Sequence, residues 1–594
     1  MPRYTAPVAE VAFLLDRVFP MEGSTGLPGL ADLSPETLQA VLTQAGRFAE
    51  TVLQPLNQSG DREGCRRHED GSVETPPGFR AAYHRYVEGG WPAVSGDAGF
   101  GGQGLSLAVG AMVNEFCTSA NMAFTMVSGL TQSACSAILA HGSAAQKALY
   151  VPKLVAGAWC GTMNLTEPQC GTDLGLIRTK AVPQADGSYR LFGQKIFISA
   201  GEHDLAENIV HLVLARIEGA PAGTKGLSLF VAPKLIVRPD GSLGPRNALL
   251  CGSIERKMGL HANPTCVMDY DGAEGELLGE AGRGLQAMFV MMNQARIGVA
   301  TQGLALSEVA YQNAAAYAKE RRQGRALKAP RSPEAPADPI IVHPDVRRAL
   351  MSIRAFNLGA RALLVWTALK ADIARRSPDA AARDAAEDLL GLMTPVLKGV
   401  LTDTGVRNCI EAQQVFGGYG YIVEAGMEQF VRDARITAVY EGTNGIQALD
   451  LVGRKLPRDG GRAFTAFTKE VASFLKARAG DTRLAPFLGP LKQGLDHLQQ
   501  ATLWFMQHGL RDPDNAAAGA YDYMHMFGLV AIGYMWARIA AATFAGGDGD
   551  APPEDGRLLF GRFFMERTMP ETAAHLARIT AGAATLVAPP AEAF

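Results

Sequence analysis

The chain has 594 residues, of which 47% are hydrophobic and 19% charged, and it carries a formal net charge of −3 at pH 7. This length exceeds one compact core and predicts three or four well-packed domains rather than a disordered chain. With a pI near 6.4, the chain has no excess of basic charge that would make nucleic acid or an anionic membrane surface its main partner.

The N-terminal part, residues 1–160, has a helical pattern. "SPETLQAVLTQAGRFAETVLQPLNQ" predicts a capped amphipathic helix, and the Ala-, Met- and Leu-rich stretch after residue 105 predicts a long helix pair. "GFGGQG" at 99–104 matches the G-x-G-x-x-G spacing of dinucleotide-binding folds. That fingerprint requires a strand directly before it, whereas "VEGGWPAVSGDA" is rich in turn residues. We therefore interpret "GFGGQG" as a Gly-rich loop between helices.

Residues 161–281 change to short β-rich runs separated by Gly, Asp and Pro turns, such as "GSYRLFGQKIFISAGEHD" and "ENIVHLVLARIE". Helices return over 282–457, interrupted by "KAPRSPEAPADP", which we interpret as an exposed loop. About four more helices are predicted in residues 458–594, the last of them over "RLLFGRFFMERTM…AAHLARITAGA". The expected fold is mostly α with a central β domain, in four domains: 1–160, 161–281, 282–457 and a helical extension, 458–594.

The cysteines, the start of the chain and its most apolar segment bear on metal binding and location. The eight cysteines are scattered without a C-x-x-C pair, so neither a structural zinc site nor a disulfide framework is indicated, and we expect no metal. Reduced thiols and the lack of a signal-peptide pattern at the start favour a cytoplasmic protein. The most apolar long segment, 521–545, carries Asp522, His525 and Arg538. It therefore predicts a buried helix and no membrane insertion.

Two loops in the β-rich part offer hydroxyl groups and apolar surface together. "MNLTEPQCGTDLG" places the Thr166 hydroxyl beside the apolar Met163 and Leu165. "KIFISAG" places Phe197 and Ser199 two residues apart, hence on the same side of a strand. An aromatic plate with nearby hydroxyls suits a flat heterocycle with polar edges. Each loop alone is equally compatible with an ordinary turn or core segment.

A carboxylate, Glu441, lies in "ITAVYEGTNGIQALD", directly before a Gly-rich turn and a predicted helix. Thr443 is the expected N-cap of that helix, and Ile446, Leu449 and Val452 form an apolar stripe at helical spacing. The acid thus lies near the positive end of a helix dipole, beside small residues that leave room for a ligand. An ordinary loop carboxylate would fit the same local pattern.

Five motifs in order resemble the acyl-CoA dehydrogenase family: "LTEPQCGTDLG", "KIFISAG", "AYAKERRQGR", "QQVFGGYGYIVEAGMEQFVRDARI" and "VYEGTNGIQ". The resemblance covers about residues 35–455. The length, "HPDVRR" after the Pro-rich loop, and the C-terminal helices are similar to the extended bacterial branch that includes methylmercaptopropionyl-CoA dehydrogenases and some long-chain enzymes. It implies an α-helical domain, a β-barrel-like domain and a four-helix domain, followed by the extension.

The resemblance implies FAD as the cofactor. The matching positions are Met163, Leu165, Thr166, Phe197, Ser199, Arg321, Gln323, Gln414, Gly417, Gly418, Thr443 and Asn444. Phe197 stands where many relatives have Trp, so it could stack on the flavin without donating the indole hydrogen bond. Arg321 matches the arginine that binds the FAD pyrophosphate of a neighbouring subunit. Because Gln414, Gly417 and Gly418 match a segment that also reaches the neighbour's FAD, we expect a homodimer.

For catalysis, the resemblance implies that Glu441 removes the α-proton of an acyl-CoA thioester while the β-hydride passes to flavin N5. Electrons would then go to electron-transferring flavoprotein. The expected substrate contacts are Thr172, Arg296 and Gly442. Thr172 replaces a serine that lies near the CoA arm in relatives. For Arg296, a purely structural ion pair is an equal alternative.

Two other functions share this fold. An acyl-CoA oxidase would reoxidise its flavin with oxygen, and a DNA-associated flavoprotein of the alkylation-response type would need a basic C-terminal face, which these helices do not offer. The acyl group is open, since a thioether is nearly isosteric with a methylene. A dimer would follow if the extension fills the space that a second dimer occupies in shorter relatives, and a tetramer is the alternative.

Overall fold

The computed structural model describes residues 2–20, 26–31, 33–545 and 556–594. The chain forms two compact units. We call Arg47–Leu105 together with Phe116–Gly298 the β unit, and Met1–Gly46, Ser106–Glu115 and Val299–Phe594 the helical unit. About 62% of the chain is helical, which confirms the mostly α class with a central sheet.

The α-helices of the described residues are α1 Val8–Phe13, α2 Pro35–Phe48, α3 Asn57–Glu63, α4 Phe79–Glu88, α5 Leu107–Ala120, α6 Met122–His141, α7 Ala144–Val155, α8 Gly284–Glu320, α9 Pro344–Arg376, α10 Ala380–Val415, α11 Met427–Arg435, α12 Asn444–Asp450, α13 Arg462–Arg478, α14 Ala485–Trp504, α15 Pro513–Ala545, α16 Gly556–Arg567, α17 Glu571–Thr580 and α18 Ala584–Val587. π-helical turns follow α1, α2, α12 and α14, at Leu14–Val18, Ala49–Leu53, Leu451–Lys455 and Phe505–Gly509. The predicted cap of α2 is present, because Ser34 Oγ accepts a 3.2 Å hydrogen bond from the Thr37 backbone N–H.

The strands are β1 Arg66–Arg67, β2 Val73–Glu74, β3 Trp159–Asn164, β4 Lys180–Pro183, β5 Tyr189–Ser199, β6 Asn208–Ile217, β7 Leu227–Pro233, β8 Leu235–Val237, β9 Leu243–Arg246, β10 Leu249–Ile254 and β11 Thr265–Leu278. The main sheet runs β10-β11-β5-β4-β6-β3, and β7 pairs with both β11 and β6. These pairings close β11, β5, β4, β6 and β7 into a ring. This ring agrees with the expected barrel-like domain.

The central strand β6 is buried on both faces, as the run "NIVHLVLAR" indicates. Val210, Leu212 and Leu214 pack in one core with α6 and α7. The alternate residues Val213 and Ala215 pack in the second core, inside the ring. Because side chains alternate along a strand, β6 contributes to both cores at once. The β unit also contains the two candidate cofactor loops. One follows β3, and the other lies at the end of β5.

"GFGGQG" lies between helices, as expected. The residues before it form α4 and short 3₁₀ turns at Trp91–Ala93 and Ala98–Phe100, not a strand. Its third glycine, Gly102, is required by packing, since a Cβ there would lie 2.1 Å from the carbonyl carbon of Gly96. The dinucleotide-binding fingerprint is therefore coincidental here.

In the helical unit, α15 packs closely on α9 and α10. Three glycines permit the approach: a Cβ on Gly359 would meet Ile532 at 2.6 Å, one on Gly399 would meet Met524 at 2.3 Å, and one on Gly528 would meet Val400 at 2.6 Å. Both α6 and α15 are long and apolar enough to cross a membrane, but 78% of the most apolar window of each is buried within the fold. That burial is typical of core helices.

Two details of the helical unit differ from or refine the sequence prediction. The last predicted helix of the extension is wrong as a single element, since it divides into α16 and α17 around Pro570. Proline has no N–H and disfavours helix in the preceding residue, so α16 ends before it. The Pro-rich loop is exposed as expected, but it folds around the buried Asp338, whose carboxylate accepts hydrogen bonds from backbone N–H groups of Ala326, Arg331 and Ser332.

Candidate active site

Glu441 lies between α11 and α12, in the short loop that follows a 3₁₀ turn at Ile436–Ala438. Its backbone is in the left-handed region, with φ of 58°, and the following Gly442 has φ of 87°. A non-glycine residue in such a conformation costs about 1–3 kcal/mol and persists only where its surroundings enforce it. The loop must therefore be held by specific contacts.

Two fully buried side chains hold the loop from behind. Gln447 Nε2 donates to the carbonyl oxygen of Glu441 at 3.0 Å and to that of Gly442 at 3.2 Å. Lys398 Nζ donates to the same Gly442 oxygen at 2.9 Å. The Gln447 Oε1 atom has no hydrogen-bond partner among the described residues. These bonds fix the two carbonyl groups that the strained turn points inward.

Asn444, the first residue of α12, is also buried and bonded at both ends of its amide. Its Oδ1 accepts from Lys398 Nζ at 2.7 Å, and its Nδ2 donates to Thr402 Oγ1 at 2.9 Å and to Asp403 Oδ1 at 2.7 Å. Thr443 occupies the N-cap position, as expected, but its side chain makes no cap hydrogen bond. The helix start is thus anchored by Asn444 rather than by Thr443.

The predicted apolar stripe of α12 is only partly correct. Val452 is buried and Ile446 half-buried, but Leu449 is exposed. The helix instead buries a polar face, because Asn444 and Gln447 turn inward to bind the loop. The burial of two amides at this helix is the physical reason for the error.

In the β unit, a buried ion pair holds the first candidate cofactor loop. Lys195 Nζ donates to Glu167 Oε1 at 2.8 Å and to the carbonyl oxygen of Leu165 at 2.9 Å. Glu167 also accepts from Thr179 Oγ1 at 2.6 Å and from the Arg178 backbone N–H at 2.8 Å. Both charged side chains are almost completely buried. The pair therefore fixes the backbone at the start of "LTEPQCGTDLG".

The pKa values of this pair shift with burial and pairing. Burial opposes the ionised carboxylate of Glu167, but the Lys195 ammonium and the hydrogen bonds outweigh it and lower its pKa to about 2. Burial lowers the pKa of Lys195 to about 8, against the attraction of Glu167. At neutral pH both groups are charged.

Phe197, in the β unit, also has its backbone in the left-handed region. Its φ is 60°, at a bulge in the pairing of β5 with β11, and its side chain is 59% exposed. Ser199 is half-buried, while the intervening Ile198 is buried, so Phe197 and Ser199 share the outer side, as expected. The Ile196 N–H donates to the carbonyl oxygen of Thr166 at 2.9 Å. This bond joins the two candidate cofactor loops.

The other expected contacts in the β unit differ in their exposure. Leu165 is buried, Thr166 and Met163 are half-buried, and Thr172 is exposed in the turn that follows. Arg296 is buried in α8, and its Nη1 lies 3.4 Å from Asn293 Oδ1. An exposed aromatic ring beside half-buried hydroxyls fits a flat isoalloxazine ring with polar edges.

The helical unit brings together the residues expected to bind a neighbour's FAD. All are exposed: Arg321, Gln323, Gln414, Gly417 and Gly418. The link between their segments is a ring stack, since Tyr317 near the end of α8 lies 4.2 Å, centroid to centroid, from Phe416 after α10. The same surface exposes Tyr419, Tyr421, Ile422 and Val423.

Sequence reasoning missed the side chains that hold the loop after β3 and the loop that carries Glu441. They are Glu167 and Lys195 for the first loop, and Lys398 and Gln447 for the second. A signal was present for Lys398, which interrupts the apolar run "LMTPVLKGVL" in a predicted helix. A lysine in such a run is expected to be paired if it is buried. Glu167 and Lys195 gave a weaker signal, because a charged residue in a strand next to a turn is also normal on an exposed face.

Models of one protein family match most of the chain. Models of the acyl-CoA dehydrogenase N-terminal, middle and C-terminal domains match residues 35–158, 162–273 and 282–456. A model described as acetyl-CoA dehydrogenase C-terminal like matches 467–590. The structure is similar to Caenorhabditis elegans ACDH-11, solved in complex with C11-CoA, with a TM-score of 0.80 and 20% identity over 96% of this chain and 92% of that one. This likeness concerns the fold.

Two curated proteins match nearly full length. The 3-methylmercaptopropionyl-CoA dehydrogenase of Ruegeria pomeroyi is 42% identical over 588 residues, covering 97% of this chain and 98% of that protein. The broad-specificity linear acyl-CoA dehydrogenase FadE5 of Mycobacterium tuberculosis is 34% identical over 595 residues, covering 96% of each. The chain therefore belongs to the acyl-CoA dehydrogenase family, an FAD-dependent family of oxidoreductases that act on the CH–CH bond of acyl-CoA thioesters.

Proposed function

We propose that this protein oxidises an acyl-CoA thioester to the trans-2-enoyl-CoA, with Glu441 as the base. The observation that carries the proposal is the left-handed conformation of Glu441, held by hydrogen bonds from the buried Gln447 and Lys398. Strain of this kind, enforced by a dedicated network, is typical of a residue whose orientation matters for function. In the family motif "VYEGTNGIQ", this position is that of the base.

In this proposal the Glu441 carboxylate takes the proton from the α-carbon of the substrate. A thioester α-proton is only weakly acidic, so the negative charge that develops on the carbonyl oxygen needs hydrogen-bond donors. The backbone N–H of Glu441 is one such donor, which makes the orientation of this peptide group part of the chemistry. Gly442, with no side chain, leaves space for the thioester beside it.

The β unit supplies the flavin-binding part of the proposal. Leu165, Thr166 and Ser199 would contact the edge of the isoalloxazine ring, Phe197 would cover one face, and Met163 would add an apolar contact. Bound FAD would supply the acceptor for the hydride that leaves the β-carbon of the substrate. Lys195 and Glu167 keep the loop backbone in place, and Thr172 contacts the CoA arm. Arg296 lies near the substrate, where it could equally be structural.

The helical unit supplies the contacts to a second FAD, which belongs to a partner subunit. Arg321 would bind its pyrophosphate, because a guanidinium group can donate two parallel hydrogen bonds to phosphate oxygens, and Gln323, Gln414, Gly417 and Gly418 would support it. Thr443 and Asn444 would contact FAD at the start of α12, Asn444 through its backbone, because its side-chain amide is bonded to Lys398, Thr402 and Asp403. The exposed Tyr419, Tyr421, Ile422 and Val423 support a homodimer, because a contiguous apolar surface of this kind favours association.

The experiment that tests the function is product analysis. The purified flavoprotein is incubated with a panel of acyl-CoAs and an artificial electron acceptor, and each CoA ester is weighed by mass spectrometry. The panel includes linear chains and 3-methylmercaptopropionyl-CoA, the acyl groups in the names of the two relatives. The proposal predicts a product lighter by two hydrogens. An unchanged ester with every substrate would contradict it.

The electron acceptor needs a separate measurement. We propose electron-transferring flavoprotein, so reduced enzyme should be reoxidised rapidly by that protein and slowly by air. Hydrogen peroxide formed at the rate of substrate oxidation, without an added acceptor, would instead identify an oxidase. Neither outcome affects the assignment of Glu441.

A further inference from the structure

A polar chain within the helical unit connects the C-terminal extension to the loop that carries Glu441. It begins on α15 with Tyr521 and His525, which are four residues apart and therefore on one face of the helix. The Tyr521 hydroxyl donates to Asp403 Oδ2 at 2.5 Å, and His525 Nε2 lies 3.1 Å from the same oxygen. Their rings lie 4.7 Å apart, centroid to centroid. Both extension residues thus converge on one carboxylate oxygen.

The other oxygen of Asp403 points to the loop. It accepts the 2.7 Å hydrogen bond from Asn444 Nδ2. Asn444 Oδ1 accepts from Lys398 Nζ, which also donates to the carbonyl oxygen of Gly442. Asp403 is therefore the bridge: one carboxylate oxygen serves the extension, and the other serves the residue that starts α12.

The charge state of the bridge is defined by these partners. Burial opposes ionisation of Asp403, but hydrogen bonds from His525, Tyr521 and Asn444 outweigh burial and lower its pKa. On the extension side, His525 also stacks on His575, whose Nδ1 lies 2.7 Å from Asp522 Oδ1. A charged acceptor makes each of its hydrogen bonds stronger and more directional than neutral ones.

Packing alone does not require such a chain. Elsewhere α15 meets α9 and α10 through glycines and apolar side chains, and apolar contacts would suffice at Asp403 as well. A buried polar chain is costly when partly satisfied and rigid when fully satisfied, so its use here specifies one geometry. The polar chain fixes Gly442 and Asn444. Gly442 directly follows Glu441, and Asn444 follows two residues later.

We propose that the extension orients the catalytic loop, with Tyr521, His525 and Asp403 as positioning residues for Glu441. This inference rests on the proposed role of Glu441 as the base. Without the bonds from α15, Asp403 can rotate, Asn444 loses its fixed acceptor, and the loop gains alternative conformations. The extension is then part of the catalytic machinery although none of its residues touches the substrate.

The test compares Tyr521→Phe with a matched control, Tyr534→Phe. Tyr534 is on the same helix and also donates to a carboxylate, Glu470 Oε1 at 3.1 Å, but it lies 13 residues further along α15, about 20 Å away. Each variant loses one hydroxyl group. His525→Gln, alone and combined with Tyr521→Phe, provides a second perturbation.

The first measurement is amide hydrogen exchange of the segment 440–446. Tyr521→Phe and the double variant should exchange faster than wild type there, whereas Tyr534→Phe should not. The second is anaerobic flavin reduction by a saturating acyl-CoA, which should slow by about tenfold in the double variant, as expected for a misplaced catalytic group. The acyl-CoA concentration for half-maximal rate should stay unchanged, since the positioning residues do not contact substrate.

The outcomes separate two failures. If the wild-type flavin is reduced, and Tyr521→Phe and the double variant both match wild type in exchange and reduction rate, the positioning inference is wrong while the proposed function stands. If no acyl-CoA reduces the wild-type flavin, the proposed function is wrong and the inference falls with it. Should the double variant lose its folded structure, Tyr521→Phe decides alone, because Tyr521 is 46% exposed and its truncation leaves no cavity.

Discussion

The Gln447 side-chain amide donates a 3.0 Å hydrogen bond to the backbone carbonyl of Glu441, whose φ is 58°. One residue thus connects the first turns of α12 to the strained peptide that precedes it. The bond explains why a buried glutamine occupies a helix face that would otherwise be apolar. It also makes the conformation of Glu441 depend on a side chain six residues away.

Replacement of Gln447 by Met, which has a similar shape, should release the Glu441 carbonyl. A buried carbonyl without its donor costs about 1–3 kcal/mol, so the free energy of unfolding should fall by that amount. Urea denaturation followed by circular dichroism measures it. Flavin reduction by acyl-CoA should slow as well, because the loop is no longer fixed.

The control for this variant is Gln507→Met, at an exposed glutamine after α14. It should change the free energy of unfolding by less than about 0.5 kcal/mol. If Gln447→Met is as stable and as fast as this control, the hydrogen bond does not hold the loop.

Much of the fold was predictable because its signals are local. The burial of α15 was predictable because its long apolar sequence contains three charged or polar residues, which disfavour a membrane span. The loop at "GFGGQG" was predictable from the turn residues before it. The division at Pro570 was also predictable, since a proline followed by Glu571 and Thr572 is typical of a helix start.

The site was predictable only in part. Motif spacing identified Glu441 and Phe197 as candidates, but not the positive φ of either, which depends on surrounding tertiary contacts. The orientation of α12 was mispredicted: Leu449 was expected to be buried and is exposed. The prediction from apolar spacing places Asn444 and Gln447 on the solvent side, whereas both are buried. The partners of Asp403 lie 41 and more than 100 residues away in sequence, so no local pattern could reveal them.

The Glu167–Lys195 pair predicts a pH-dependent stability. The pKa of Glu167 falls from 4.5 to about 2 on folding. The folded state therefore releases this proton more readily than the unfolded state, so the stabilisation is fully present above pH 4.5 and is lost as pH falls toward 2. Relative to wild type, Glu167→Gln should be less stable by on the order of 3 kcal/mol at pH 7. The difference should shrink near pH 3.

Urea denaturation of both proteins at pH 7 and pH 3 measures this difference. Glu218→Gln, at an exposed position after β6, is the matched control and should behave as wild type at both values. A difference between wild type and Glu167→Gln that is the same at both pH values would show that the charge of Glu167 is not responsible.

Truncation of Phe197 separates cofactor binding from stability. Its ring is exposed in the chain, so Phe197→Ala should change the free energy of unfolding of the apoprotein by less than about 0.5 kcal/mol. Loss of stacking should weaken FAD binding by about 0.5–1.5 kcal/mol, a two- to tenfold change. Fluorescence titration of apoprotein with FAD measures it. Phe197→Trp should bind at least as tightly as wild type, and equal affinity of the Ala variant would refute a stacking role.

A charge in the exposed apolar surface should prevent dimerisation. Val423 is 69% exposed, so Val423→Asp should leave the folded monomer intact. An unpaired carboxylate buried between subunits should cost about 3 kcal/mol of association free energy. Light scattering should show a dimer for wild type and a monomer for the variant, with reduced FAD content because Arg321 no longer reaches the partner's cofactor. Leu510→Asp, at an exposed leucine after α14, should remain dimeric. A tetrameric wild type would contradict the proposed dimer.

The most direct test of the account is anaerobic mixing of the flavoprotein with its preferred acyl-CoA, followed by flavin absorbance, in wild type, Glu441→Gln and Glu387→Gln. Glu387 is an exposed glutamate of α10 and serves as the matched control. We predict rapid bleaching in wild type and Glu387→Gln, and loss of bleaching by a factor of 100 or more, roughly what general base catalysis contributes, in Glu441→Gln with FAD still bound. Bleaching of Glu441→Gln at the wild-type rate would show that another group removes the proton.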